Sequence, residues 1–442
     1  MTNIYSDVNI FWFRRDLRLE DNTGLFHALQ SGIPVLPLFI YDTDILQQLE
    51  DKYDRRLDFI QQTLSGLQKQ LENVGRSLCV EVGKPIDVFN KLTSEVQLKS
   101  VFCNRDYEPY ALQRDNSIKL LLKQKNIEFL TFKDQVIFEG DEIMKGNGEP
   151  YTVFTPYSNQ WKLKLSAECY SSNLSENLLD RFLKIETNNL PELEEIGFHK
   201  TGFVLSPPVV DERVISTYNE TRNYPAIKGS TELSAHLRFG TISIRKLVSL
   251  AVKLNDTWLN ELIWREFFMS ILLHFPHVEK GPFKKKYEGI AWRNNEKEFE
   301  RWCEGKTGYP IVDAGMRQLN ETGWMHNRVR MIVASFLTKH LLIDWRWGEA
   351  YFAIKLLDYD LSANNGNWQW VAGCGCDAAP YFRIFNPSEQ TKRYDSDLKY
   401  IRCWVKELDS EEYPQPIVEH SFARERALEA YKKGINNMGH YQ

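Results

Sequence analysis

The chain opens on short apolar runs separated by stretches of helical period. Val8-Asn9-Ile10-Phe11-Trp12-Phe13 and Val35-Leu36-Pro37-Leu38-Phe39-Ile40 carry too few polar positions for half-exposed strands and predict buried ones. Asp21-Asn22-Thr23 between them predicts a helix N-cap, and Arg55 to Asn73 has the spacing of an amphipathic helix. Leu78-Cys79-Val80-Glu81-Val82 and Ser100-Val101-Phe102-Cys103 predict two further strands. This alternation implies a parallel sheet covered by helices. No Gly-x-Gly-x-x-Gly follows the first strand, which excludes an ordinary dinucleotide-binding half.

From Glu139 to Pro208 the pattern becomes irregular, with breakers at Gly146-Asn147-Gly148-Glu149-Pro150 and Leu205-Ser206-Pro207-Pro208. Helix-period stretches then dominate, at Thr257 to Leu273, Ile311 to Leu319, Asn327 to Leu342 and Ala350 to Leu357. The expected organisation is an α/β domain with a Rossmann-like parallel sheet over 1-135, a connector over 136-207, and a mostly α-helical domain over 208-442.

Composition narrows the classes. The 442 residues are 43% hydrophobic and 26% charged, ordinary for a globular chain, and no apolar run approaches the ~20 residues of a membrane span. The N-terminus lacks the basic and apolar regions of a secretory signal, which predicts a cytoplasmic protein, monomeric and with no membrane partner. Seven cysteines without framework spacing predict reduced thiols and no metal site. A net charge of -5 argues against wholesale coating of nucleic acid but leaves room for a local basic groove. Ten of the 12 tryptophans lie between Trp258 and Trp404, a concentration that invites roles in stacking or electron movement beside core packing.

Four segments carry candidate chemistry. Trp258, Glu261 and Arg265 share a helical stripe flanked by Trp264; on spacing alone this predicts a surface Glu261–Arg265 pair beside core tryptophans. A predicted helix over Trp324 to Met331 aligns Trp324, Asn327 and Met331, with Arg330 suited to an anionic partner. Leu357 to Trp370 holds two acids, several amides and two tryptophans, too polar for a plain core helix, and predicts a ligand-binding or solvated polar loop. Lys228 to Ser234 offers a glycine and three hydroxyls before a helix, as a phosphate loop or a mere N-cap would.

Taken together, these segments closely resemble the photolyase/cryptochrome family, in particular its class I cyclobutane pyrimidine dimer photolyases, over nearly the whole chain. The resemblance is carried by Phe11-Trp12-Phe13-Arg14-Arg15-Asp16-Leu17-Arg18-Leu19 with Asp21-Asn22, by Trp258 to Phe267, and by Gly305 to Ala314. Gly323 to Met331, Asp358 to Trp370 and Asp377 to Pro387 extend it.

The resemblance implies a helical C-terminal domain that binds FAD, active in its reduced form, and light-driven repair of dimers in DNA by electron transfer to the flipped-out lesion. It implies that Tyr218, Ser230, Thr231, Leu233 and Ser234 hold the cofactor's phosphate and ribose side. Trp258, Glu261, Arg265, Trp324, Asn327, Arg330, Asp358, Asp360, Asn364 and Asn365 would hold the rest, with Arg330 paired to Asp358 and Asn364 facing the flavin. Trp264, Trp370 and Met331 match residues that pack on the dimer, with Glu261 and Asn327 as its polar contacts. Trp368, Trp345 and Trp292 match the family's electron-transfer chain, and Arg222, Arg328 and Arg383 its phosphate contacts. Glu232 stands where a basic residue is found in photolyases.

A cryptochrome photoreceptor is the rival of another class; Asn364 argues against it, because plant-type receptors resemble each other in carrying Asp there and animal ones Cys. A photolyase for (6-4) photoproducts would place histidines at Asn327 and Met331. An FAD oxidoreductase would need a substrate site that no motif supplies. Relatives often bind a second antenna chromophore, a folate, deazaflavin or flavin. Asn104 to Glu108 lies in the relevant region, but Tyr110 and Ala111 replace the amide and acid of the folate pattern.

Overall fold

In a computed structural model that describes residues 7–186 and 189–438, the apolar runs become the strands of one parallel sheet. Val8–Phe13 (β1), Val35–Asp42 (β2), Cys79–Gly83 (β3), Leu98–Asn104 (β4) and Glu128–Phe132 (β5) lie in the order β3-β2-β1-β4-β5. β1 and β2 are buried along their full length, as central strands covered on both faces must be. The edge strand β5 has one exposed and four half-buried residues, and without an uninterrupted apolar run it left no signal in the sequence. Helices Thr23–Gln30 (α1), Arg55–Glu72 (α2), Pro85–Glu95 (α3) and Pro109–Gln124 (α4) alternate with the strands. Asn22 caps α1 as predicted, its side chain accepting from Leu25 N at 3.1 Å.

The chain forms two compact units. The first comprises 1–139, 164–210 and 233–250; the second comprises 140–163, 211–232 and 251–442. The stretch expected as a connector is thus divided between the two. Within the first unit the motif after β1 is a stitching device. Asp134 receives both Arg18 and Arg245 at 2.8 Å, and Arg245 also reaches Asp21 at 3.0 Å. All four side chains are buried, so charge is compensated locally and the 233–250 segment is fixed to the sheet. Gly240 permits this approach: at φ 65° its backbone is left-handed, and a Cβ there would lie 2.1 Å from Arg15 O.

The second unit is helical. Its principal elements are Phe154–Lys164 (α5), Asp256–His274 (α6), Pro310–Thr322 (α7), Asn327–Ser335 (α8), Trp345–Lys355 (α9), Leu361–Ala372 (α10), Pro387–Tyr394 (α11) and His420–Met438 (α12). Their core centres on fully buried Trp302, Met316, Val333, Leu337 and Leu341.

Two expectations are corrected here. The predicted helix over Trp324 to Met331 begins only at Asn327, because the His326 side chain caps it, Nδ1 accepting from Arg328 N at 3.2 Å. Most of the supposed polar loop at Leu357 to Trp370 is helix α10. Its polarity misled because the amides serve backbone neighbours: Asn365 and Gln369 each donate to Val278 O at 3.0 Å, and Gln369 also to Asn365 at 3.0 Å. Buried amides satisfied in this way are compatible with a helix interior.

Candidate active site

One cavity of about 360 Å³ opens in the second unit, within the size range of small-molecule sites. Three helices line most of it: α6 supplies Glu261, Trp264 and Arg265, α8 supplies Asn327, Arg330 and Met331, and α10 supplies Asn364, Trp368 and Trp370. Asp358 and Asp360 lie on the approach to α10, and Arg222 completes the polar set. Phe268, Phe352 and Leu356 provide apolar wall. Some of the residues matched to the flavin, Arg265, Arg330, Asp358, Asp360 and Asn364, therefore share a single chamber with those matched to the dimer.

Each side chain is fixed by local structure. Asp360 is the N-cap of α10, accepting from Ala363 N at 3.1 Å, which starts the helix where Asn364 and Trp368 reach the cavity. Gly348 on α9 admits the Trp368 ring, for a Cβ there would lie 2.1 Å from Trp368 Cη2. The burial of His326 lowers its pKa to about 4, so a neutral ring holds the start of α8 and with it Asn327 and Arg330.

Arg330 Nη2 donates to Asp358 Oδ2 at 2.8 Å, as expected from the sequence. The second oxygen, Asp358 Oδ1, is buried and has no partner among the described residues. A buried carboxylate oxygen left open beside a cavity is an acceptor for an N–H or O–H of a bound molecule. Glu261 pairs with Arg222 at 2.6 Å rather than with Arg265, which corrects the simple i,i+4 reading. Burial pushes the Glu261 carboxyl above its ordinary range, and Arg222 pulls it back.

Trp264 is half sealed. Phe154 of α5 stacks on it with ring centroids 3.7 Å apart and planes 4° from parallel, leaving the rest of the indole to line the cavity. Sequence reasoning missed Phe154 because it lies in the stretch read as irregular; the spacing of Tyr157 and Trp161, both buried, was the available sign of a helix there. It also missed Glu349 of α9, whose carboxylate accepts from Asn365 at 3.0 Å and whose backbone oxygen accepts from Asn364 at 3.1 Å.

Other expected site residues stand outside the cavity wall. Trp258 and Tyr218 are buried, the latter under Arg222 at 5.3 Å. Asn365 is turned toward Glu349 and Val278, and Trp324 lies edge-on to His326. Ser230 and Thr231 follow Gly229, which packs so closely on Thr221 that a Cβ would meet its backbone oxygen at 2.8 Å. Leu233 and Ser234 open the short helix Ser234–Phe239 of the first unit. Trp345 and Trp292 belong to the same core as Trp368, Trp345 buried and Trp292 partly so, the latter edge-on to Tyr431 at 5.7 Å. Arg328 donates to Asn223 at 2.7 Å, and Arg383 lies 5.8 Å from the Phe385 ring centre.

Comparison with known proteins follows this geometry. The family described as the FAD binding domain of DNA photolyase matches residues 258–412, and that described as DNA photolyase matches 9–174. A deoxyribodipyrimidine photo-lyase of Synechococcus is 38% identical over 467 residues, covering 96% of both chains. The crystal structure of a bacterial class III photolyase from Agrobacterium tumefaciens superposes with a TM-score of 0.86 at 32% identity, covering 98% of each chain. An archaeal photolyase from Sulfolobus tokodaii, solved with two FAD molecules, gives 0.77 at 34% identity, covering 96% of this chain and 100% of that one.

Proposed function

Because the chain belongs to the DNA photolyase family, we propose that its cavity holds FAD and a flipped-out pyrimidine dimer side by side for light-driven repair of DNA. The observation that carries this reading is the open Asp358 Oδ1 beside the Arg330 pair, in a chamber whose other wall is Glu261, Trp264 and Met331. The donor set fits a flavin: an anchored carboxylate, a nearby guanidinium, the Asn364 amide and flat apolar walls. Bound and reduced, FAD supplies the electron that blue light drives into the dimer.

The protein's own part is binding and orientation. Asp358 accepts from the cofactor through Oδ1 while Arg330 holds it in place; Arg265, Asp360 and Asn364 complete that side. The hydroxyls of Ser230, Thr231 and Ser234, with Tyr218 and Leu233, are assigned to the phosphate and ribose end. Trp258, Trp324 and Asn365 support the pocket from behind. On the substrate side, Trp264 and Trp370 offer stacking faces, and Met331 is assigned to pack on the dimer. Glu261 is assigned to the pyrimidine edge as a polar contact, with Asn327 as a second. Arg222 is held to Glu261 and orients it; Arg328 and Arg383 take DNA phosphates. Trp368, Trp345 and Trp292 form the path for photoreduction.

The finer assignments belong to the same proposal. The seven cysteines are all free thiols, which suits a reducing cytoplasm and a monomer. For an antenna, Tyr110 is already committed to Asp42 at 2.7 Å and Ala111 is buried, which speaks against a folate there. The test is to illuminate purified, photoreduced protein with duplex DNA carrying cyclobutane dimers. Recovery of thymine monomers is expected; tight dimer binding without light-dependent splitting would leave only a damage-binding role. The absorption spectrum of the protein as purified reports the flavin and any second chromophore.

A further inference from the structure

Phe154, the first residue of α5, stands behind the substrate side of the cavity. It stacks on Trp264 with ring centroids 3.7 Å apart and planes 4° from parallel. Aromatic pairs prefer offset or edge-on arrangements, so a near-parallel contact this close has to be held by its surroundings. Phe268 lies tilted against Trp264 at 5.4 Å, and Phe267 meets it edge-on at 5.6 Å. The indole is braced by these rings yet still lines the cavity, which leaves its free surface there for a further flat ring.

Helix α5 is itself fastened. Phe154 N, an orphan donor at the helix start, donates to Asp377 Oδ2 at 3.0 Å. Further along, Ser158 Oγ donates to Asn260 Oδ1 at 3.0 Å, and the buried Trp161 Nε1 to Glu266 Oε1 at 2.6 Å. Lys162 reaches Asp256 at 2.6 Å, an exposed pair that adds little. Asn260, Glu266 and Asp256 all belong to α6, the helix that carries Glu261, Trp264 and Arg265 to the cavity. Helix α5 is therefore a splint along α6, and the place of Phe154 is set from both sides.

We propose that Phe154 is a positioning residue for lesion recognition: by filling one face of Trp264 it presents the other, in a fixed plane, to a pyrimidine ring of the flipped-out dimer. The assignment rests on the repair reading above. Its physical ground is preorganisation. An indole free to tilt has to be ordered when a base stacks on it, and that ordering subtracts from affinity. With Phe154 in place the ordering is complete on folding. Phe154 carries no charge and takes no part in phosphate binding, so its effect belongs to the dimer and not to undamaged duplex.

The test is fluorescence anisotropy with labelled duplex DNA, with and without a cyclobutane dimer. Phe154→Leu is expected to weaken dimer binding about tenfold, within the contribution of one base–aromatic stack. Binding to undamaged duplex and its salt dependence are expected to stay as they are. Phe154→Tyr, which keeps the flat ring, should bind the dimer like the unaltered protein. Phe154→Met, which fills similar space without a flat face, should show the loss and tests the role even if the leucine variant fails to fold. Flavin content, read from the absorption spectrum, should match the parent throughout. Adding Phe154→Leu to Trp264→Leu should weaken binding no further, because Phe154 acts through the indole. Unchanged dimer affinity in Phe154→Leu or Phe154→Met overturns the role, and so does a further loss in the double variant. An equal loss on damaged and undamaged duplex, or a loss of flavin, makes Phe154 a general structural residue and also overturns it. Failure of the unaltered protein to prefer dimer DNA strikes the repair reading itself, and the role falls with it.

Discussion

Glu349 is expected to make the stability of this protein fall as pH rises through the neutral range. Burial pushes its carboxyl from an ordinary 4.5 up to about 7, with Arg346 and the Asn365 amide only partly offsetting it. Below the unfolded value both states hold the proton, and the group contributes no difference. Between about 4.5 and 7 the unfolded chain ionises while the folded one keeps its proton, so rising pH favours unfolding. The full effect, reached above the folded value, is about 3 kcal/mol. For a chain of 442 residues that corresponds to a midpoint shift of about 3 °C. Glu349→Gln keeps an acceptor for Asn365 and abolishes the titration. Thermal unfolding of the flavin-loaded protein, followed by near-UV circular dichroism at pH 5 and pH 8, is the assay. The variant should gain on the parent at pH 8 and match it at pH 5. Glu349→Ala, which strands the Asn365 amide, should be weaker at both. Parallel pH profiles for the parent and the glutamine variant would refute the argument.

Other expectations are equally direct. Trp368→Phe should slow light-driven flavin reduction while sparing repair by chemically reduced enzyme; unchanged photoreduction would remove Trp368 from the electron path. Gly348→Ala drives a methyl to 2.1 Å from Trp368 Cη2 and should lower stability by about 1–3 kcal/mol despite its better helix propensity, read as a lower urea midpoint. Asp358→Asn replaces the open acceptor and loosens Arg330, and should reduce the flavin retained through purification, measured as the ratio of flavin to protein absorbance. Retention equal to the parent would disprove the anchoring role.

Much of the architecture was legible because its signals are local. The apolar runs of β1 and β2, buried on both faces, announce themselves, and Asn22 is an N-cap by chemistry alone. The Arg330–Asp358 pair followed from the family resemblance and is met at 2.8 Å. Three of the errors share one physical source, side chains whose partners are remote in sequence. Asn365 and Gln369 looked too polar for a helix because Val278, more than eighty positions away, satisfies them. Glu261 was paired with its helical neighbour because nothing local points to Arg222. Phe154 offered no motif; its significance is the ring of Trp264, and that is visible only in three dimensions.

That stacked pair bears on how such a protein is recombined. Phe154 covers one face of Trp264, and Trp161 of the same helix donates to the buried Glu266 at 2.6 Å. A chimera spliced at residue 207, where the sequence suggests the connector ends, would set a foreign residue against the Trp264 indole. Junctions on either side of 140–163 would exchange first-unit segments and leave the cavity wall its native Phe154 backing.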